Sequence, residues 1–212
     1  MATMQRTRKK AAPIIKPFDR AVEFHGHVCP GLAIGYRAAE LGLKELACRR
    51  AMDEELVAVV ENDACGVDAI QVVTGCTLGK GNLILKDYGK QAYTFMDRKS
   101  GDGVRVSLRQ TPDEMDPVLS RLRGKVMSGI ASAGEGAEFR KRMNGAVESI
   151  LAMPGEKLFE IRRVKAEIPE KARIFRSVKC TKCGEMVSEA RARVQDGGFV
   201  CITCHGVYTR EC

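Results

Sequence analysis

Residues 83–108 read LILKDYGKQAYTFMDRKSGDGVRVSL, and this stretch decides the fold class. Three runs within it, Leu83 to Tyr88, Ala92 to Met96 and Val104 to Leu108, are rich in β-branched and aromatic residues, which pack well on a pleated surface. Gly89-Lys90 and Gly101-Asp102-Gly103 separate the runs with turn chemistry. The spacing predicts an antiparallel meander over residues 83–109.

Working outward, Glu55 to Glu61 carries LVAVV at its centre and reads as a buried strand. Gly66 to Thr74 reads as a helix stopped by Gly75, and Pro30 to Leu46 as a longer one with proline in its first turn. That helix carries Gly31, Ala33, Gly35, Ala38 and Ala39, a surface on which another backbone can pack closely. Pro17-Phe18-Asp19 opens a short helix ending near Gly26. Two more helices fit Asp116 to Ala131 and Gly136 to Ala152, and Leu158 to Ile168 is the last expected strand. A meander with helices segregated from it is an α+β pattern. The expected organisation is a basic, disordered N-terminus over 1–16, an α+β core of antiparallel sheet and packed helices over 17–168, and a small module over 169–212.

The chain has 212 residues, 44% hydrophobic and 29% charged, an ordinary balance for a globular protein. No apolar run approaches the roughly 18–20 residues of a membrane span, and no apolar segment follows the basic N-terminus as a secretory signal would require. The net charge of +8 divides into +5 over residues 1–20, −2 over 21–156 and +5 over 157–212. A near-neutral core between basic ends makes nucleic acid a weak expectation as partner, with solubilising tails the plain alternative. Nine cysteines, an odd number without an export signal, point to a reducing cytoplasm and to metal or redox roles.

Cysteine spacing sharpens this. Cys180 and Cys183, then Cys201 and Cys204, form two C-x2-C pairs whose separation matches a structural zinc site. Four thiolates on two knuckles close a tetrahedron around Zn²⁺. A piece of this size with few large apolar residues needs the metal for its folding energy. Asp196-Gly197-Gly198 signals a hairpin between Met186–Val194 and Phe199–Cys201. A thioredoxin-like reading lacks the βαβ context, and disulfides require an oxidising compartment. His205 and Cys212 lie beside the site without being needed, and Cys48 reads as packing.

A second constellation is Phe24-His25-Gly26-His27-Val28-Cys29-Pro30-Gly31. In an extended segment, side chains at i, i+2 and i+4 share a side, which brings His25, His27 and Cys29 to one point. Cys29 falls just before a helix, where the dipole lowers a thiol pKa. Such a set serves as transition-metal ligands or as an activated nucleophile with its base. Cys65 sits at a strand-to-helix junction, and Cys76, Thr77 and Lys80 occupy a glycine-rich loop without Walker spacing. Taken alone, Cys65 and Cys76 are more economically buried small residues.

His25-Gly-His27-x-Cys29-Pro-Gly31 with Gly35 and Arg37, followed by Ala64-Cys65, Asp68-Ala-Ile-Gln71 and Thr74-Gly-Cys76-Thr-x-Gly-Lys80-Gly-Asn-Leu83, resembles the E-subunit family of formylmethanofuran dehydrogenase over about residues 17–165. The cysteine-rich end resembles the treble-clef or ribbon-like zinc module that some members append. The resemblance implies an α+β core, a homodimer, and a cleft into which the His/Cys block projects. It also implies association with one-carbon redox metabolism, through a complex with tungsten or molybdenum enzymes whose redox chemistry belongs to other subunits.

Two readings stay open. In the first, an enzyme or oxidoreductase subunit uses His25, His27, Cys29 and Cys65 as a second transition-metal site or catalytic set. Cys76, Thr77 and Lys80 then bind an anionic substrate. In the second, a regulatory or adaptor protein contacts protein or nucleic acid through its zinc module.

Overall fold

The computed structural model describes residues 15–165 and 167–206; the expectation of a disordered N-terminus and the placement of Cys212 lie outside these residues. Two compact units divide the chain between Lys171 and Ala172.

In the first unit, α1 (Phe18–His25) and α2 (Pro30–Leu46) precede β1 (Leu56–Val60), α3 (Gly66–Thr74) and β2 (Leu83–Leu85). Strands β3 (Ala92–Asp97) and β4 (Gly103–Leu108) follow, then α4 (Pro112–Met115), α5 (Pro117–Met127), α6 (Ala133–Ala152), α7 (Gly155–Leu158) and β5 (Phe159–Val164). The five strands form one mixed sheet in the order β2-β1-β3-β4-β5. Ala58, Val60, Tyr93, Phe95, Val104, Val106 and Phe159 share one cluster with Ala38, Ala39 and Leu43 of α2, Ile70 and Val73 of α3, and Val147 and Ile150 of α6. The α+β architecture follows from this, with one sheet face buried under helices.

The meander is corrected at one end. β3, β4 and β5 are successive antiparallel neighbours, but β2 pairs parallel with β1, Ala58 opposite Leu83. The physical reason is α3, which returns the chain so that β1 and β2 run the same way. Residues 86–90 then wrap the end of β1 instead of forming a hairpin: Lys86 N–H donates to the Val60 carbonyl, and the N–H groups of Tyr88 and Lys90 to that of Glu61. This carries β3 to the far side of β1. The helix expected over 116–131 is α5, capped by Asp116 through Val118 and Leu119 and ending at Met127, short of Gly129 in its left-handed conformation (φ 71°); the separate α4 before it starts at a capping box from Thr111 and Glu114. The helix expected from Gly136 starts earlier, at Ala133, under a second capping box from Ser132 and Glu135.

Helices α2 and α3 cross backbone to backbone. A Cβ built on Gly35 would lie 2.1 Å from the Gly66 carbonyl oxygen and 2.4 Å from the Gly66 Cα. Only glycine permits that approach. It sets the N-termini of the two helices side by side.

In the second unit, β6 (Ser177–Lys179) pairs with β7 (Met186–Ser188), and β8 (Arg193–Gln195) with β9 (Gly198–Val200) across Asp196-Gly197. A 3-10 turn, Glu189–Arg191, divides the long strand expected before that hairpin, and α8 (Ile202–His205) follows β9. Cys180, Val200 and Cys201 are the buried cluster of this unit, a small core of the kind that requires a metal.

Candidate metal centres

Each C-x2-C pair supplies half of the C-terminal site. Cys180 follows β6, with Cys183 on the tight turn ending at Gly184, whose N–H donates to the Cys180 carbonyl. Cys201 precedes α8 and Cys204 lies within it. The four sulfurs lie within 4.8 Å of one another, with Cys183 and Cys201 Sγ 3.9 Å apart. The Cys201 N–H donates to Cys180 Sγ at 3.4 Å. Backbone N–H groups, those of Cys183 and Cys201 foremost, hold the Cys180 thiol down to about 6, so a thiolate is favoured there before any ion binds. His205 is no part of the set: its Nδ1 lies 2.9 Å from the Gly206 carbonyl oxygen at the surface.

The second cluster is built where three helix ends meet. His25 is the last residue of α1, which stops because Gly26 takes a left-handed conformation (φ 92°) and donates its N–H to the Val22 carbonyl. The chain turns through the exposed residues Gly26, His27 and Val28. Cys29 is the N-cap of α2, with Pro30 in the first turn and the Leu32 N–H donating to its sulfur at 3.4 Å. Cys65 is the N-cap of α3. The convergence is thus made by a helix–turn–helix, not by the extended segment expected. One ligand atom each of His25, His27, Cys29 and Cys65 falls within 4.8 Å of the others.

Two features fit this set to a metal ion. A tetrahedral ion with bonds of about 2.0–2.3 Å holds its ligand atoms about 3.3–3.8 Å apart, within reach of the observed spread. The second is His25 itself. Its Nδ1 lies 2.7 Å from Asp68 Oδ2, while its Nε2 is buried with no hydrogen-bond partner among the described residues. Asp68 accepts the Nδ1 proton and leaves the Nε2 lone pair free, the arrangement by which carboxylates orient metal-bound imidazoles. A buried nitrogen without a partner is costly otherwise. Burial, and next the charge of Cys29, push the Cys65 thiol up, so an ion would have to displace its proton.

Sequence reasoning missed the role of Asp68. Its position in the first turn of α3, three residues after Cys65, was the available signal. Gln71, one turn on, lies within 3.5 Å of Asp68 Oδ1. A cavity of about 410 Å³ opens beside the cluster, lined by His25, Cys65, Asp68 and Gln71 with Val60, Leu78 and Leu83 among its apolar residues.

The glycine-rich loop residues are not brought to the cluster. Cys76 is fully buried with its thiol donating to the Leu56 carbonyl, and burial pushes it up to about 11. The Lys80 ammonium donates to the carbonyls of Met52 and Asp53. Thr77 lines a different cavity, of about 650 Å³, together with Lys16, Arg20, Phe24 and Arg50. Cys48 is half-buried, its thiol 3.4 Å from Asp97 Oδ2.

Comparisons with known proteins agree with this division. The model of the family described as "FmdE, Molybdenum formylmethanofuran dehydrogenase operon" matches residues 24–160, and that of the "Prokaryotic dksA/traR C4-type zinc finger" matches residues 173–210. A "Probable S-adenosyl-L-methionine-binding protein" of Archaeoglobus fulgidus is 35% identical over 198 residues, covering 89% of this chain and 52% of that protein; the chain spans about half the length of this curated relative. A "tungsten formylmethanofuran dehydrogenase subunit e (fmde)-like protein" from Syntrophus aciditrophicus, known from a crystal structure, is 28% identical with a TM-score of 0.59, over 92% of this chain and 97% of that one. With its His/Cys block inside the first match and its four-cysteine site inside the second, the chain is a metal-binding member of the FmdE family that carries a C-terminal C4 zinc finger.

Proposed function

We propose that the chain holds two metals, a structural zinc in the C4 finger and a second transition metal on His25, His27, Cys29 and Cys65, and that the core centre works in one-carbon redox metabolism. The observation that carries the reading is the His25 ring, oriented by Asp68 on one nitrogen and, among the described residues, buried without a partner on the other. A bound transition metal supplies Lewis-acid or redox chemistry at that point. The chain's own residues set its surroundings. Asp68 fixes the imidazole tautomer, and Cys29 and Cys65 as thiolates balance the charge of a divalent ion. Val60, Leu78 and Leu83 keep the cavity wall apolar, which strengthens electrostatics at the centre.

The one-carbon assignment rests on family membership and on the name of the Syntrophus protein. A homodimer, a larger redox complex and a cytoplasmic site of action belong to the same reading. For an anionic substrate group the support is the cavity that Thr77 lines with Lys16, Arg20 and Arg50, whose lining stays net positive with Glu23 paired to Arg20; Cys76 and Lys80 are occupied elsewhere.

One observation favours an adaptor role as a second reading. The finger leaves Met186, Val194 and Ile202 more than half exposed, an apolar set suited to a partner protein. Elemental mass spectrometry on protein purified anaerobically decides between one centre and two. Near two metals per chain, the second lost in Cys29→Ala, supports the core centre. A single zinc that Cys29→Ala leaves in place refutes it.

A further inference from the structure

We infer that the four core ligands are unequal, and that His27 is the exchangeable one, the position at which an external donor reaches the metal. The inference rests on the core-metal reading above and adds which face of that centre opens.

Three of the ligands are held by the fold. His25 is fixed through Asp68, its side chain only 12% exposed. Cys29 is anchored at the α2 N-cap by the Leu32 N–H. Cys65 is half-buried at the α3 N-cap, against the α2–α3 crossing. His27 has none of this support. It is exposed, and no hydrogen bond orients its ring among the described residues; its ring contact is with His25, 4.4 Å between centroids. Its neighbours Gly26 and Val28 are exposed as well. A Cβ built on Gly26 meets nothing within 4 Å, so nothing packs over the turn at that point.

Metal centres that do chemistry keep three firm protein ligands and one position open to water or substrate, whereas four firm ligands make a closed structural site. His25, Cys29 and Cys65 form a Cys2His set of the first kind. Release of His27 exposes the vacated position to solvent on the Gly26–Val28 side, where a small monodentate donor, such as an imidazole, carboxylate or thiolate, can take its place.

Zinc affinity across five full-length chains tests this, measured by competition with a chromogenic chelator and by elemental analysis. A support beyond the ligand sphere contributes about 10–100-fold in affinity. The expected order is therefore unusual: His27→Ala weakens core zinc by less than about tenfold, Asp68→Ala by about 10–100-fold, and His25→Ala by more than either. Imidazole added to His27→Gly restores the lost affinity. A His27→Ala chain that loses core zinc as completely as His25→Ala, with the wild type holding two zincs, overturns the inference alone. A wild type holding only the finger's zinc overturns the core-metal reading itself. His27 lies in an exposed turn, and far-UV circular dichroism on every variant separates lost binding from lost folding.

Discussion

Replacing Gly35 by alanine tests how the fold makes the core cluster. The added methyl would sit 2.1 Å from the Gly66 carbonyl oxygen, whereas ordinary contact begins at 3.4 Å. The obstacle is backbone, which cannot rotate away as a side chain can, so α2 and α3 must separate by about 1.3 Å. Overpacking of this kind costs about 1–3 kcal/mol, and a backbone clash belongs at the upper end. For a unit of this size about 3 kcal/mol lowers the melting temperature by roughly 6–12 °C. Cys65 is next to Gly66 and Cys29 is less than two turns from Gly35, so their sulfurs move apart by a comparable distance. Metal-ligand distances tolerate about 0.2 Å, and the core metal should be lost while the finger keeps its zinc. Scanning calorimetry with elemental analysis on Gly35→Ala and wild type reads both effects. A variant with an unchanged melting temperature and unchanged metal content would refute the close crossing and its role in positioning the thiols.

Gly145→Ala makes the opposite test, because a Cβ there meets nothing within 4 Å inside α6. It should raise stability by about 0.4–1 kcal/mol, read from urea unfolding; destabilisation would mean that the helix surface is not free. Cys180→Ser should unfold the finger, whose folding is coupled to zinc, and leave the core transition unchanged; limited proteolysis should then cut only beyond about residue 171, and cuts in the core would show that the units depend on each other. The Glu135 carboxyl is held down to about 2 by the Lys125 ammonium and by the Ser132 backbone N–H. Because its folded pKa is depressed, its contribution is present above the ordinary carboxylate range and is lost as pH falls through about 2. Glu135→Gln should flatten the acid limb of stability between about pH 4.5 and 2, modestly for an exposed group; parallel curves for the two proteins would contradict it.

Local chemistry in the chain was enough to place α2 and α3. Pro30 and Cys29 mark one start, Gly75 marks one end, and the small residues Gly31 and Gly35 announced a close backbone neighbour without identifying it. The position of β2 was hidden because Leu83–Leu85 has the same composition whether its partner is β3 or β1. The choice is made by α3 reversing the chain and by the Glu61 carbonyl collecting the N–H groups of Tyr88 and Lys90, neither of which is a local signal. The four-cysteine site was legible because both knuckles are local pairs. In the core cluster, the nearness of His25, His27 and Cys29 was visible, but the mechanism differs: a helix end and an N-cap replace a strand. The support from Asp68 spans 43 residues, and spacing alone does not reveal such a contact. Lys80 shows the converse, a lysine in a glycine-rich loop whose ammonium holds two backbone carbonyls.

The most direct test of two unequal metal centres is a crystal of the full-length, metal-replete chain measured on both sides of the absorption edge of the metals found by elemental analysis. Two anomalous peaks are expected. One should lie among Cys180, Cys183, Cys201 and Cys204, and the other about 2.0–2.3 Å from His25 Nε2 and from the sulfurs of Cys29 and Cys65. A single peak in the finger, with the His25 Nε2 bonded to an ordered water, would contradict the account.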